Sequence, residues 1–157
     1  MKKNQWACYI GNVLIAMNEI DGMTFTCKSK VVGDDITKKW RELPLAKRLK
    51  CLCKDKNLND TDPVINNLHG LLKQALELCA LRNKIAHGMF AIDCDRPMEQ
   101  DLESQIVMFS DGPNFESITA EELISGAAHC NKLSGDISKQ LAIIEMYKMQ
   151  KINKHNL

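Results

Sequence analysis

One stretch constrains this chain more than any other, an apolar period running from about residue 63 to 87. Ile65, Leu68, Leu72, Leu76, Cys79, Ala80 and Asn83 fall near one stripe, and Leu71, Leu78, Leu81 and Ile85 widen it. That spacing predicts an amphipathic helix. Its boundaries are written in the same residues. Asn59-Asp60-Thr61-Asp62-Pro63 interrupts what precedes, with Asp62 suited to an N-cap and Pro63 to the first helical position. Gly88 follows the last periodic residue and is expected to end the helix. At 1.5 Å per residue the element spans roughly 37 Å, long enough to be the spine of a bundle.

Three weaker helical patterns supply partners for that spine. Trp6, Ile10, Val13, Leu14, Met17 and Ile20 repeat at helical spacing and predict a helix over 3–20, stopping near Asp21-Gly22. Residues 23–35 read as a connector. Ile36 and Trp40 suggest a short helical turn, and Pro44 opens a second helix in which Leu45, Leu49 and Leu52 share a face. Lys47, Arg48, Lys50 and Lys54 are expected to stay in water. Near the end, Thr119-Ala120-Glu121-Glu122 matches a capping box, and Leu123, Ile124, Ala127, Cys130, Leu133, Ile137, Leu141, Ile144 and Tyr147 continue inward from it. Ser134-Gly135 is a place where that helix could bend. The polar tail from about 151 to 157 is expected to fray.

Between the spine and the closing helix the period changes. Met89 to Asp95 and Gln105 to Phe109 are short and rich in strand formers, separated by Arg96-Pro97 and followed by Asp111-Gly112-Pro113-Asn114. They predict a small β-hairpin inserted at about 89–109. The expected fold is therefore an all-α antiparallel bundle with that hairpin, forming a single domain over 1–157.

Composition narrows the setting. With 45% hydrophobic and 26% charged residues, the chain can fill a core, which argues against disorder over most of its length. The seven cysteines are odd in number and irregularly spaced, and Cys51-Leu52-Cys53 is not a zinc-type pair, so reduced and mostly buried thiols are expected. No apolar run reaches 18 residues, and Gln5 and Asn12 interrupt the N-terminal one, so neither a membrane span nor a signal segment is expected. These features point to a reducing, cytoplasmic environment. Trp6 and Trp40 are expected to anchor helix packing and the methionines to fill core gaps.

Charge is distributed unevenly. Residues 1–56 carry 12 Lys/Arg against 6 Asp/Glu, and residues 57–157 carry 9 against 14. The basic excess is densest from Lys38 to Lys56. One basic face suits an anionic ligand, and two oppositely charged faces equally suit pairing of two copies.

Only one segment joins unusual chemistry to a defined place, Arg82-Asn83-Lys84-Ile85-Ala86-His87-Gly88 at the end of the spine. Asn83 and His87, at i and i+4, are neighbours on the helix surface, and Arg82 lies about 140° around the axis from His87. Ala86 keeps the surface low. An Arg guanidinium grips phosphate oxygens in bidentate fashion, and a His takes or gives a proton near neutral pH. With a 2′-hydroxyl as internal nucleophile, RNA cleavage at such a pair requires no metal. Arg and His in a last turn also serve the helix macrodipole, so a plain helix terminus uses the same residues. No His, Cys, Asp or Glu set has metal-ligand spacing; His129 and His155 have no companion at such spacing, and His69 is expected to be an interhelical or surface polar residue.

This segment resembles the Arg-polar-x-x-x-His motif of the HEPN superfamily, the higher-eukaryote and prokaryote nucleotide-binding domains. The order of an amphipathic opening helix, a basic Leu-rich second helix, a long motif helix and a closing helix is similar over about residues 3–150. The resemblance implies an all-α bundle with the motif ending a core helix. It further implies a metal-independent RNA endonuclease without cofactor, of toxin–antitoxin, abortive-infection or antiviral type, although other members are non-catalytic. By it, His87 transfers the proton, Arg82 holds the phosphate and the developing charge, and Asn83 orients His87 or substrate. It implies a homodimer in which both motifs line one cleft, and a neutralising antitoxin partner such as a small nucleotidyltransferase. Lys47, Arg48 and Lys50 would hold flanking phosphates of the RNA. The hairpin at 89–109 departs from the simplest form of the family. A non-catalytic module binding RNA, a nucleotide or a protein, and a helical scaffold or adaptor, are the competing readings.

Overall fold

The computed structural model describes residues 3–58, 62–92, 106–109 and 117–155, with side chains over 4–58, 62–88 and 118–150. The chain is mainly helical. Helix α1 spans Lys3–Thr26 and runs directly into a π-helical turn, Cys27–Val32. A short α2 (Lys38–Glu42) and α3 (Leu45–Cys53) follow, then α4 (Pro63–His87) and, after a small sheet, α5 (Ala120–His155).

α4 begins where local chemistry dictates. The Asp62 side chain accepts from the Val64 amide at 2.9 Å, and Pro63 occupies the first turn, where its missing N–H costs nothing. Its inward face buries Leu68, Leu72, Ala75, Cys79 and Ile85. Each Leu so buried stabilises the fold by roughly 1.5–3 kcal/mol relative to exposure. α5 also starts as the sequence predicts. Thr119 N donates to Glu122 Oε2 at 2.8 Å, and Glu122 N donates to Thr119 Oγ1 at 3.2 Å, which closes the capping box.

Two expectations for single elements need correction. α1 does not stop at Asp21-Gly22 but continues to Thr26, and the π-helical turn carries it to Val32. Tertiary packing rewards the extension, since Thr24 and Cys27 are fully buried and Phe25 lies under a guanidinium. The terminator is Gly33, whose φ of +85° is a left-handed conformation that glycine adopts without steric penalty. Gly88 ends α4 as expected, in an extended conformation with φ −80° and ψ 149°, and leads straight into a strand. Arg48, expected in water, is only 5% exposed.

The bundle is not antiparallel throughout. Along α1 and α5 the cross-contacts rise together: Ser134 Oγ donates to Glu19 Oε2 at 2.7 Å, and further on the Lys148 ammonium donates to the Lys30 carbonyl. These two helices therefore run parallel. α4 opposes α5, because Asn67 pairs with Gln140 while a Cβ on Gly126 would press on Leu81. It opposes α3 as well, with His69 bonded to Cys53 O near one end and Arg82 facing Ala46 across a cleft at the other. α4 is thus a central spine surrounded by α1, α3 and α5, all running against it. The core between them contains Trp6, Val13, Met17, Ile20, Leu49, Leu52, Leu58, Leu123, Cys130, Leu133 and Ile137, each at most 2% exposed.

Beyond Gly88, β1 (Met89–Ile92) pairs antiparallel with β2 (Ile106–Phe109), Met89 opposite Phe109 and Ile92 opposite Ile106. A two-residue β3 (Ser117–Ile118), which the sequence did not suggest, pairs antiparallel with β2 through Met108–Ile118. Ile118, 2% exposed, ties that edge to the core. The segment between β1 and β2, including Asp93 to Asp95, lies outside the described residues, as does the end of the chain at 156–157; the helical backbone of α5 continues through His155.

Candidate functional site

The last turns of α4 separate two grooves of opposite character. On one flank, a groove of about 610 Å³ is lined by Glu77, Lys84, Glu121 and Glu122 with Ala80 and Leu81. On the other, a tighter cleft of about 280 Å³ lies between α1, the start of α3 and α4, with Asn18, Asp21, Arg48, Arg82 and Asn83 as its polar lining. Successive residues turn by about 100°, so Arg82 and Lys84 necessarily face opposite flanks. An anionic ligand is disfavoured by the three carboxylates of the first groove. The second offers two guanidinium groups against one carboxylate.

Arg82 is half-buried, and its Nη1 donates to Asn83 Oδ1 at 3.3 Å, so the motif's first two polar residues act on the same cleft. Opposite them, Arg48 Nη2 donates to Asp21 Oδ1, and the Arg48 guanidinium stands 4.5 Å from the Phe25 ring centroid. Burying that ion pair is tolerated because the carboxylate and the aromatic face replace water around the cation. Cys79 lies at the back of the cleft. Burial pushes its thiol above the ordinary value, Arg82 pulls it down, Asp21 raises it and Lys50 lowers it. The cleft's field thus reaches into the core.

His87 does not line this cleft. It is exposed one turn beyond Asn83, with Ala86 also exposed and Ile85 buried. Arg82 and Asn83 are brought together on one chain, and the imidazole stands apart on the open surface. Lys47 and Lys50 are exposed on α3, whereas Arg48 between them points inward to Asp21, so the three do not form one solvated basic face. Asp21 and Arg48 lie 27 residues apart, and no local pattern signals their pairing.

The remaining singled-out residues take structural places. His69 is 4% exposed with Nε2 3.0 Å from Cys53 O, an interhelical bond. His129 is exposed. Trp6 and Trp40 are buried, at 0% and 7% exposure, whereas Met146 and Met149 are more than 60% exposed and so fill no core gap. Cys27, Cys79 and Cys130 are buried and free, Cys8 and Cys51 are exposed, and Cys94 falls outside the described residues. Among the described residues no three His, Cys, Asp or Glu side chains group as metal ligands, and no helix is long and apolar enough to cross a membrane.

Comparison with family models, curated proteins and solved structures finds no match to this chain.

Proposed function

We propose that the protein is a metal-independent RNA endonuclease of HEPN type, working as a homodimer and serving as a toxin or phage-defence effector. The reading rests on one observation: Arg82 and Asn83 face a positively biased cleft at the end of α4, and His87 follows one turn later on open surface. In the proposed reaction Arg82 holds a phosphate and the charge that develops on it. His87 takes the 2′-hydroxyl proton as that oxygen attacks phosphorus to form a 2′,3′-cyclic phosphate, and the P–O5′ bond breaks as the 5′-oxygen of the next nucleotide takes a proton from water. A second protomer brings its own α4 end against the first, so that the exposed imidazole meets a guanidinium it does not share a cleft with on its own chain.

The test is cleavage of a structured RNA in EDTA. His87→Ala is expected to lower the rate by about 10²–10⁴-fold, the usual contribution of a positioned acid–base group. Because His87 is exposed, the variant retains its fold. Wild-type protein that cleaves no member of a broad RNA panel, or a His87→Ala protein as active as wild type, rules the reading out.

The position of His87 outside the Arg82 cleft favours a second reading, a non-catalytic module of the same type that binds RNA, a nucleotide or a protein partner. It requires Arg82→Ala to weaken ligand binding or dimerisation, with no turnover by the wild type.

A further inference from the structure

α5 carries a second face that the bundle does not use. Its inward positions Leu123, Cys130, Leu133 and Ile137 are buried, yet Ile124, Met146 and Met149 stand 40%, 62% and 63% exposed. At 100° per residue, Ile124, Asn131, Gly135, Ser138, Ala142 and Met149 fall within about 40° of one line along the helix, and every one is exposed. None is charged. A helix side that meets only water normally carries its charges there, and apolar side chains gathered on it mark a contact surface. The charges stand aside instead, with Glu121, Lys132 and Lys139 along one border of the line. The other border is α1, where Glu19 accepts from Ser134. Gly22 and Thr26 of α1 share with Gly135 and Ser138 a groove of about 560 Å³, lined by these two helices alone. Ile15, one turn before Glu19, is 60% exposed.

The order of side chains along α5 says what fits there, because it reads alike from either end. About a midpoint between residues 136 and 137, Gly135 mirrors Ser138, Asn131 mirrors Ala142 and Ile124 mirrors Met149. A two-fold interface demands such a pattern, since residue i of one copy must suit residue j of the other and the reverse. Two copies of α5 laid antiparallel on that midpoint set small groups against small groups at the centre and an apolar end against an apolar end. Met146 of one copy then lies beside Ala128 of the other, large on small. A Cβ added to Gly135 would meet nothing within 4 Å on its own chain, so the centre is open to the close approach of a second helix.

We infer that the outer face of α5, with the edge of α1, is a docking surface for a second copy of this chain, packed about a two-fold axis with the α5 helices antiparallel across Gly135 and Ser138. Gln140, which holds Asn67 of α4, points about 160° away from Ser138, so the face lies on the side of α5 turned from α4. The contact is therefore distinct from a pairing of α4 ends, and it stands or falls separately from the nuclease reading. Both contacts together build a tetramer.

The experiment is sedimentation equilibrium of the full chain over a range of concentrations. Self-association of the wild type is expected. Gly135→Arg should weaken it at least about tenfold, as loss of a central contact does. The variant monomer should melt no lower than wild type, because the site has room and glycine is a poor helix former. Ile124→Glu and Met149→Lys should each weaken association, and the double variant should recover it, since each new carboxylate then faces the partner's new ammonium. On one chain these positions are roughly 37 Å apart, so recovery arises only between copies. Arg82→Ala should associate through this face as wild type. A wild type that stays monomeric, association that survives Gly135→Arg, or a double variant without recovery overturns the inference. Association lost in Arg82→Ala but kept in Gly135→Arg belongs to the α4 ends and overturns it too. Absence of RNA cleavage by a protein that associates through α5 removes only the nuclease reading.

Discussion

At its start α4 is tied by its polar groups to neighbouring elements. Gln140, 6% exposed, donates from Nε2 to Val64 O at 2.7 Å and accepts from Asn67 Nδ2 at 2.7 Å. His69 reaches Cys53 O, and Asp62 caps the first turn. At its finish the same helix leaves Asn83 and His87 exposed and Arg82 half-buried on a cleft. Both ends are rich in polar residues, so composition does not separate them. The separation comes from partners: at the start Asn67, His69 and the Val64 carbonyl each have one from another element, and at the finish Arg82 bonds its own neighbour Asn83. Polar groups spent on the fold and polar groups left for a ligand are distinguished by tertiary contacts alone.

The largest effect is expected in alkaline titration, because Cys27 and Cys130 are sealed in the core on which both ends of α4 depend. Burial pushes Cys27 from 9.0 up to about 12 and Cys130 from 9.0 up to about 11. A raised folded-state value means the native state resists losing the proton, so its stabilising effect is fully present below pH 9 and declines as pH climbs through 9 towards 11 and 12. Together these shifts are worth on the order of a few kcal/mol. The melting temperature should fall steeply above pH 9, and Cys27→Ala should flatten that fall while lowering stability at pH 7. A pH-independent melting temperature between 8 and 11 would show that these two thiols are open to water.

A smaller effect is expected at the polar staple. Gln140→Ala removes the donor to the Val64 carbonyl and the acceptor of the exposed Asn67 amide, and should cost about 1–3 kcal/mol in denaturant unfolding. RNA cleavage at the far end should remain unchanged. If the cleavage rate falls with stability, the two ends of α4 are mechanically coupled and the contrast is false.

What the sequence disclosed follows the range of the interactions involved. The starts of α4 and α5 were legible because Asp62-Pro63 and Thr119 to Glu122 act within one turn of themselves. The buried stripe of α4 was legible for the same reason, down to Leu72 and Ile85. The continuation of α1 beyond Gly22 was not, since it is rewarded by burial of Thr24 and Cys27 among distant residues, and a glycine with open space around it is tolerated there. Nor was the parallel course of α1 and α5, which depends on a chain reversal through Gly33. Within the candidate site, Arg82 and Asn83 were visible as a pair at a helix end. Arg48 read as one more wet cation on a basic helix, because nothing near it in sequence announces Asp21.

The smallest predicted effect divides the two ends of one helix most directly. Asp62→Ala removes an acceptor from a first-turn amide and should cost about 1 kcal/mol. His87→Ala removes an exposed side chain with no hydrogen-bond partner among the described residues and should change unfolding free energy by less than about 0.5 kcal/mol. Both residues flank α4, both are polar, and a count of helix-end residues treats them alike. A cost for His87→Ala equal to that of Asp62→Ala would mean that the imidazole supports the fold through the helix dipole, which is the use of a plain terminus. A near-zero cost leaves a titratable group at the end of the spine that folding does not need, and chemistry or binding is then what remains for it to do.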